Sequence, residues 1–224
     1  MALFESVLSS RLVSQRQFDQ LRSGTAERNR LMLTRAVRDY SAALSLLPPG
    51  EGDISTGELL DGVVEGRIGF ARLSSRAAGA LAEREGAVYG EDWAVAPMFG
   101  SPWTVVADVE GFVIPRSTAS LGRSRSFLRF AMGAEPQRRF GASGGWIPAR
   151  TDAAAAVDHH PAARALAAHY ERATIHAPSL SRDIAVRQPV RNRLGNTLDA
   201  FEYNGSVETA TEGVVIAFEN TAML

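Results

Sequence analysis

The chain has 224 residues, of which 45% are hydrophobic and 22% charged, with a formal net charge of −1 at pH 7. This composition is typical of a soluble globular protein with one large domain or two smaller lobes. Because the charge is near neutral and no basic stripe is present, we expect no nucleic acid partner. The longest apolar runs are far shorter than the ~20 residues of a bilayer span, so we expect no direct membrane insertion.

The chain contains neither cysteine nor lysine. Without cysteine there are no disulfides, thiolate metal sites or cysteine nucleophiles. All 24 cationic residues are arginine, which we interpret as a sign of a GC-rich bacterial genome. The N-terminal stretch MALFESVLSSRLVSQRQFDQ has no basic region before Glu5 and predicts an amphipathic helix, not a signal peptide. We therefore expect the chain as written to remain cytoplasmic.

The first half of the chain is predicted to be mainly helical. AERNRLMLTRAVRDYSAALSLL has a helical apolar stripe, which PPGEGD ends. STGELLDGVVEG predicts a short capped helix. RIGFARLSS predicts a strand with Ile68, Phe70 and Leu73 apolar, followed by a serine-capped helix over RAAGALAERE. WAVAPMFG predicts a short strand in which Trp93 is buried.

The second half adds extended segments and four helices. WTVVADVEGFVIP predicts two extended runs, over residues 104–107 and 111–114. Helices are predicted over STASLGRSRSFLRFAMG, PAARALAAHYERA, RNRLGNTLDAFEY and SVETATEGVVIAFENTAML, with Pro161 at a permissive first position and Gly205 after a helix end. Helices outnumber strands, so we expect a helix-rich α/β protein.

The segment GASGG at residues 141–145 satisfies G-x-S-x-G, the pattern of a hydrolase nucleophile elbow. An elbow needs a strand before the serine and a helix after it, whereas the flanks here predict a helix, a loop and an extended segment. We therefore interpret Ser143 as part of a glycine-rich reversal and predict no catalytic residue. A serine hydrolase remains an alternative, which unchanged esterase activity after Ser143→Ala would contradict.

The order of these motifs along the chain resembles the family 1 extracellular solute-binding proteins of carbohydrate ABC transporters, the maltose-binding-protein-like family. The resemblance covers about residues 30 to 224 and rests on collinear motifs, not on one decisive signature. The matching residues are Gly66, Arg67, Ile68, Gly69, Phe70, Phe127, Leu128, Phe130, Ala134, Glu135, Pro136, Gln137, Gly145, Pro148, Arg150, Gly205, Ser206 and Ala210.

The resemblance implies a type II periplasmic-binding-protein-like clamshell that binds a mono- or oligosaccharide without catalysis and delivers it to the membrane permease of an ABC importer. It implies a periplasmic or lipid-anchored extracellular location for a full-length version. The first ~150 residues of such a protein would be absent here. Residues 1–103 would then begin the second lobe, 104–150 would form the hinge strand and the returning segment of the first lobe, and 151–224 would close the second lobe.

The missing lobe leaves a second hypothesis open. Hinge strands without sheet partners expose apolar edges and faces. A truncated or repurposed lobe could use such a face as a protein-interaction module, and a stable homodimer would favour this alternative.

The resemblance implies ligand contacts at a turn before a helix and at the hinge. Ser74, Ser75 and Arg76 follow the predicted RIGFARLSS strand, where the start of a helix also presents free N–H groups. The other interpretation is that a serine only caps the helix and Arg76 is solvated. Asp108 and Glu110 occupy the place of the family's glycine pair, so they either contact the ligand or form an exposed bulge.

Four further residues complete the implied binding site. Arg191 and Asn192 match the stretch from which the last lobe contacts the ligand, although an arginine at a helix start can also be solvated. Trp103 and Trp146 lie in predicted loops, where an indole ring could stack on a sugar.

The histidines give no metal-ligand spacing. His159 and His160 are adjacent, and neither His169 nor His176 has a carboxylate at a suitable distance along the chain. We interpret all four as surface residues and predict neither a metal nor a cofactor.

Overall fold

The computed structural model describes residues 1–47, 54–154, 160–182 and 185–219, without the side chains of residues 100, 143, 144 and 154. The chain is 60% helical and 5% strand, with one small parallel sheet among the described residues. This confirms the predicted helix-rich α/β class. The helices are α1 (Ala2–Arg11), α2 (Gln15–Arg22), α3 (Arg30–Leu44), α4 (Thr56–Val64), α5 (Ser75–Ala82), α6 (Leu121–Ala131), α7 (Ala134–Gly144), α8 (Thr151–Ala154), α9 (Pro161–Arg172), α10 (Gln188–Asn204) and α11 (Val207–Glu219).

The chain forms two compact units, each assembled from separate stretches of sequence. Unit 1 comprises Met1–Gly52, Pro97–Val109 and Arg172–Leu224, and unit 2 comprises Asp53–Ala96 and Glu110–Glu171. These boundaries differ from those of the three segments that we assigned to lobes. The assignment to lobes stays a prediction.

The core of unit 1 is formed by the helices α1, α2, α3, α10 and α11 together with the strand Ile175–Pro178. The ring of Tyr40 on α3 packs edge-on against Phe4, with centroids 5.5 Å apart, and lies 6.2 Å from Phe201. Its hydroxyl donates a hydrogen bond to Glu202. Burial, together with this carboxylate, raises the pKa of Tyr40, so the phenol remains a donor throughout the ordinary pH range.

The sheet of unit 1 has two parallel strands, β1 (Thr104–Ala107) and β2 (Ile175–Pro178). Thr104 lies opposite Ile175, and Ala107 lies opposite Pro178. Before β1, the carbonyl of Trp103 accepts hydrogen bonds from the N–H groups of Thr174 and Ile175 at 3.0 and 2.9 Å. The sheet therefore pairs two segments that are about 70 residues apart in sequence.

A buried carboxylate joins α1 to the loop after β2. Glu5 is 2% exposed and accepts hydrogen bonds from the hydroxyls of Ser179 at 2.9 Å and Ser181 at 2.8 Å. It also accepts from the N–H groups of Leu180 and of Ser181, the latter at 3.2 Å. Hydrogen bonds to an ionised acceptor are the stronger kind, so this cluster holds the loop against the helix.

Unit 2 has a smaller core, made by α4, α5, α9 and the Tyr89–Trp93 turn. The helix α4 begins with a complete capping box, in which the hydroxyl of Ser55 and the carboxylate of Glu58 each accept a backbone N–H of the other residue. In contrast, α6 buries none of its residues. The buried residues of this core are Leu60, Ala77, Ala78, Leu81, Trp93 and Ala162.

The predicted N-terminal helix is two helices separated by residues 12–14. The second, α2, starts where the hydroxyl of Ser14 accepts the N–H of Gln17 at 3.3 Å. The first is not amphipathic, because six consecutive residues, Phe4 to Ser9, are buried. The apolar stripe of α3 is confirmed at Leu33 and Tyr40, but Leu31 is 65% exposed.

The predicted strand over RIGFARLSS is wrong. After α4, the N–H of Ile68 donates to the carbonyl of Gly62 at 2.9 Å, and Ile68 packs back on the helix end. Phe70 is fully exposed, and no described segment pairs with this stretch. The alternating pattern therefore reflects a helix end and an irregular segment.

Two more expectations for strands are corrected. WAVAPMFG forms no strand: it has an isolated bridge between Tyr89 and Trp93 and ends in a 3-10 turn, Met98–Gly100, although Trp93 is buried as predicted, at 7% exposure. Residues 111–114 belong to no sheet of the described residues, and β2 was not predicted. The helix end predicted at PPGEGD, residues 48–53, lies outside the described residues.

The contact between α10 and α11 depends on a glycine. A Cβ at Gly213 would lie 2.6 Å from Cγ2 of Thr197, a β-branched side chain with little rotamer freedom in a helix. We expect Gly213→Ala to destabilise the protein by about 1–3 kcal/mol through overpacking. Gly195→Ala on α10 is the matched control, because its Cβ would meet open space, and should stabilise by about 0.5–1 kcal/mol. Urea unfolding measures both, and equal effects would contradict the close contact.

Removing the buried carboxylate should destabilise unit 1. Glu5→Ala leaves two hydroxyls and two N–H groups without their acceptor, and we expect a loss of about 2–4 kcal/mol in the free energy of unfolding. Glu5→Gln should cost less, since the amide oxygen still accepts. Glu171→Ala, at an exposed carboxylate, should change stability by less than about 0.5 kcal/mol. A loss for Glu5→Ala no larger than for Glu171→Ala would show that the cluster contributes little.

Candidate functional site

Three of the predicted binding residues lie at the start of α5 in unit 2. The hydroxyl of Ser74 accepts the N–H of Ala77 at 3.2 Å, so Ser74 is the N-cap of the helix, as one of the two interpretations stated. Ser75 is half-buried in the first turn. Arg76 is exposed and makes no ion pair with any described residue. A hydroxyl and a guanidinium are therefore available beside the N–H groups of a helix start.

The end of α7 lies against this first turn. The helix ends at Gly145, whose φ of 66° is left-handed. A Cβ at Gly145 would overlap the carbonyl oxygen of Ser75 and lie 3.0 Å from the N of Gly79. Only glycine permits both the backbone conformation and this approach.

Trp146 follows the contact directly and lies beside the start of α5. Its ring is half-buried and packs on Phe140, with centroids 5.3 Å apart and an angle of 32° between the planes. The contact of Gly145 with Ser75 thus places Trp146, the next residue in the chain, one position from the turn that carries Ser74, Ser75 and Arg76. An indole ring, hydroxyls and a guanidinium are the groups that suit a ligand with both apolar C–H and hydroxyl groups.

A small cavity of about 100 Å³ adjoins this site within unit 2, between α5, the end of α7 and the start of α9. Its lining includes Gly79, Gly145, His160 and Leu166. Ligand pockets usually enclose ~300–1,000 Å³. The site on unit 2 is therefore an open surface, not a closed pocket.

Trp103 and Asp108 lie at opposite ends of β1 in unit 1. The four strand residues between them make five steps of ~3.3 Å, so their Cα atoms are about 16 Å apart. Trp103 is 62% exposed. Asp108 follows the strand and forms an ion pair with Arg182, the Nε and Oδ2 atoms being 3.5 Å apart. The structure does not bring these two side chains together.

The remaining predicted residues lie apart from one another. Arg191 and Asn192 are in the first turns of α10, where Arg191 is half-buried and Asn192 exposed. Glu110 is exposed in unit 2, in the extended segment after β1. A larger cleft of about 280 Å³ between α10 and α11, around Thr197 and Gly213, contains none of the predicted residues.

The G-x-S-x-G segment forms the last turn of α7, so the prediction of a loop reversal is wrong for residues 141–144 and correct only for Gly145. Ser143 lies in this last turn, after other helical residues of α7 and before Gly145, whose φ is left-handed. This order differs from the strand, turn and helix of a nucleophile elbow.

His160 is not the surface residue that we predicted. Its ring stacks on Trp93, with centroids 5.9 Å apart and an angle of 6° between the planes, and meets Tyr89 edge-on. Its Nδ1 accepts the N–H of Ala162 at 3.2 Å. His169 is half-buried and His176 exposed, whereas His159 lies outside the described residues.

Sequence reasoning missed two contributors to the site, Gly145 and Phe140. A glycine after a helix is a visible signal for a left-handed helix end, but nothing in the sequence tells which helix it contacts. Among the described residues, no group of three His, Asp or Glu side chains could hold a metal ion, and no helix is long and apolar enough to cross a membrane.

No protein family model, curated protein or solved structure matches this chain.

Gly86 has the same left-handed backbone conformation as Gly145 but no close neighbour, so comparing substitutions at the two glycines tests the contact of Gly145 with Ser75. Gly145→Ala adds both left-handed strain and a clash with Ser75, whereas Gly86→Ala, at φ 79°, adds strain in open space. We expect Gly86→Ala to cost about 1 kcal/mol and Gly145→Ala about 2–4 kcal/mol. Urea unfolding gives the stabilities, and Trp146 emission should change only in the Gly145 variant. Equal costs and unchanged emission would contradict the packing of α7 on α5.

Proposed function

We propose that this chain binds a carbohydrate, a mono- or oligosaccharide, without catalysis, as part of a type II solute-binding protein that delivers its ligand to the membrane permease of an ABC importer. The observation that carries the proposal is the packing of Gly145, the residue before Trp146, on Ser75 in the first turn of α5. The collinear motifs between residues 30 and 224 support the same assignment.

The chemistry of this surface fits a sugar. Saccharides present apolar C–H patches that stack on aromatic faces, and hydroxyls that both donate and accept hydrogen bonds. Trp146 supplies the ring, supported from one side by Phe140 at 5.3 Å. Arg76 supplies donors that no described carboxylate engages, and Ser75 supplies a hydroxyl in the first turn of α5. Ser74 contributes by holding the helix start in place.

The open form of the site fits a clamshell. A shallow surface next to a cavity of about 100 Å³ covers only one side of a sugar ring. In hinge-type binding proteins a second lobe closes over the ligand. Under this proposal Trp103, Asp108, Glu110, Arg191 and Asn192 remain predicted ligand contacts, as the resemblance implies.

Ligand binding should be visible as stabilisation of the full chain. A ligand at a hundredfold excess over its Kd stabilises the native state by about 2.7 kcal/mol, which raises Tm by ~5–10 °C for a chain of this size. We expect this shift with at least one member of a panel of mono-, di- and trisaccharides. A cooperative melting transition that no sugar moves would contradict the proposal.

Variants locate the binding site. Trp146→Ala and Arg76→Ala should each weaken the binding of the active sugar at least about tenfold in isothermal titration calorimetry, because each removes a direct contact. Tyr203→Ala, at a side chain that is 95% exposed on α10, is the control and should leave affinity unchanged. Unchanged affinity for the sugar in both the Trp146→Ala and the Arg76→Ala variant would place the site elsewhere.

A further inference from the structure

Three exposed phenylalanines of unit 2 form one surface, which we call the aromatic face. On α6, Phe127 and Phe130 are three positions apart, so they share a side of the helix, and they are 54% and 68% exposed. Phe112, from the segment before α6, is 59% exposed and meets Phe127 edge-on, with centroids 5.8 Å apart. The helix buries none of its residues. Neighbouring exposed rings, unlike a single exposed apolar residue, indicate an interaction site.

Arginine side chains accompany the aromatic face. Arg123 lies four positions before Phe127 and therefore on the same side of α6. Arg125 and Arg129, also four positions apart, form a second row along the helix. All three arginines are exposed, as is Arg116 in the turn before the helix. None of the four forms an ion pair with a residue that the structure describes, so their charges are available to a partner.

The charge of this part of the chain has one sign. Residues 111–134 contain these four arginines and no aspartate or glutamate, so they carry a net charge of +4. Because the whole chain carries −1, the remaining residues together carry −5. Positive charge is thus concentrated where the aromatic side chains are exposed. The partner that complements this surface is anionic and also accepts apolar rings.

We propose that α6 and the aromatic face bind the surface of an anionic phospholipid membrane, with the helix lying in the plane of the interface. The rings of Phe112, Phe127 and Phe130 enter the boundary between headgroups and acyl chains. The guanidinium groups contact lipid phosphates, while their apolar stems lie along the rings. Binding of this kind requires no bilayer span, so the 11 residues of α6 suffice.

The shape of the surface favours a membrane over other polyanions. Single-stranded nucleic acid is bound along a basic groove in which aromatic rings stack on bases. Here the rings and arginines stand on the solvent-exposed side of one helix. Neither the cleft between α10 and α11 nor the small cavity beside α5 is lined by a residue of α6. A fluid interface needs no groove, because lipids rearrange around side chains that protrude.

Vesicle co-sedimentation of the full chain tests the proposal. We expect at least about tenfold stronger binding to vesicles of equal parts phosphatidylcholine and phosphatidylglycerol than to phosphatidylcholine alone, and a loss of this preference in ~1 M salt. Arg125→Gln/Arg129→Gln and Phe127→Ala/Phe130→Ala should each weaken binding at least about tenfold. The matched controls, which should leave binding unchanged, alter exposed side chains of unit 1: Arg35→Gln/Arg38→Gln and Leu31→Ala/Tyr203→Ala.

A fluorescent label locates the contact, since a chain without cysteine accepts a single labelled thiol. Nitrobenzoxadiazole on Ser126→Cys of α6 should brighten with anionic vesicles, whereas the same label on Ser41→Cys of α3, also exposed, should not. Near-UV circular dichroism shows whether each variant is folded. Equal binding to both kinds of vesicle, equal losses in the controls, or binding of an oligothymidylate but of no vesicle would each overturn the proposal.

Discussion

The buried carboxylate of Glu5 is the interaction on which the arrangement of unit 1 depends. An ion 2% exposed would be costly unless hydrogen-bonded, and here the hydroxyls of Ser179 and Ser181 and the N–H groups after β2 supply the bonds. The cluster joins the first helix of the chain to the end of a strand some 170 residues later. The loop that it holds against α1 directly follows β2, the strand that pairs with β1.

Unit 2 depends on a contact of a different kind, the close approach of Gly145 to Ser75. This approach requires the absence of a side chain, and it determines where Trp146 lies. The proposed sugar site combines one indole with hydroxyl and guanidinium groups.

Local signals in the sequence predicted the helices well. Ser55 with Glu58, Ser74 before α5, Pro161 at the start of α9 and Gly205 after α10 all act within about four residues of the helix end. The strands were predicted poorly. RIGFARLSS alternates like a strand but pairs with no segment that the structure describes, and the N–H of Ile68 instead donates to the carbonyl of Gly62 at the end of α4. β2 is short and was missed, although its partner β1 was predicted within the longer extended segment.

The sequence by itself determined the helix-rich class, the helix ends and the types of residue available for binding, because capping and apolar periodicity are interactions between near neighbours. Only the tertiary structure decided that residues 104–107 pair with residues 175–178, and that Gly145, next to Trp146, packs on Ser75. These outcomes depend on contacts between residues distant in the chain, and no local pattern specifies which partner a strand, a glycine or a buried carboxylate will meet.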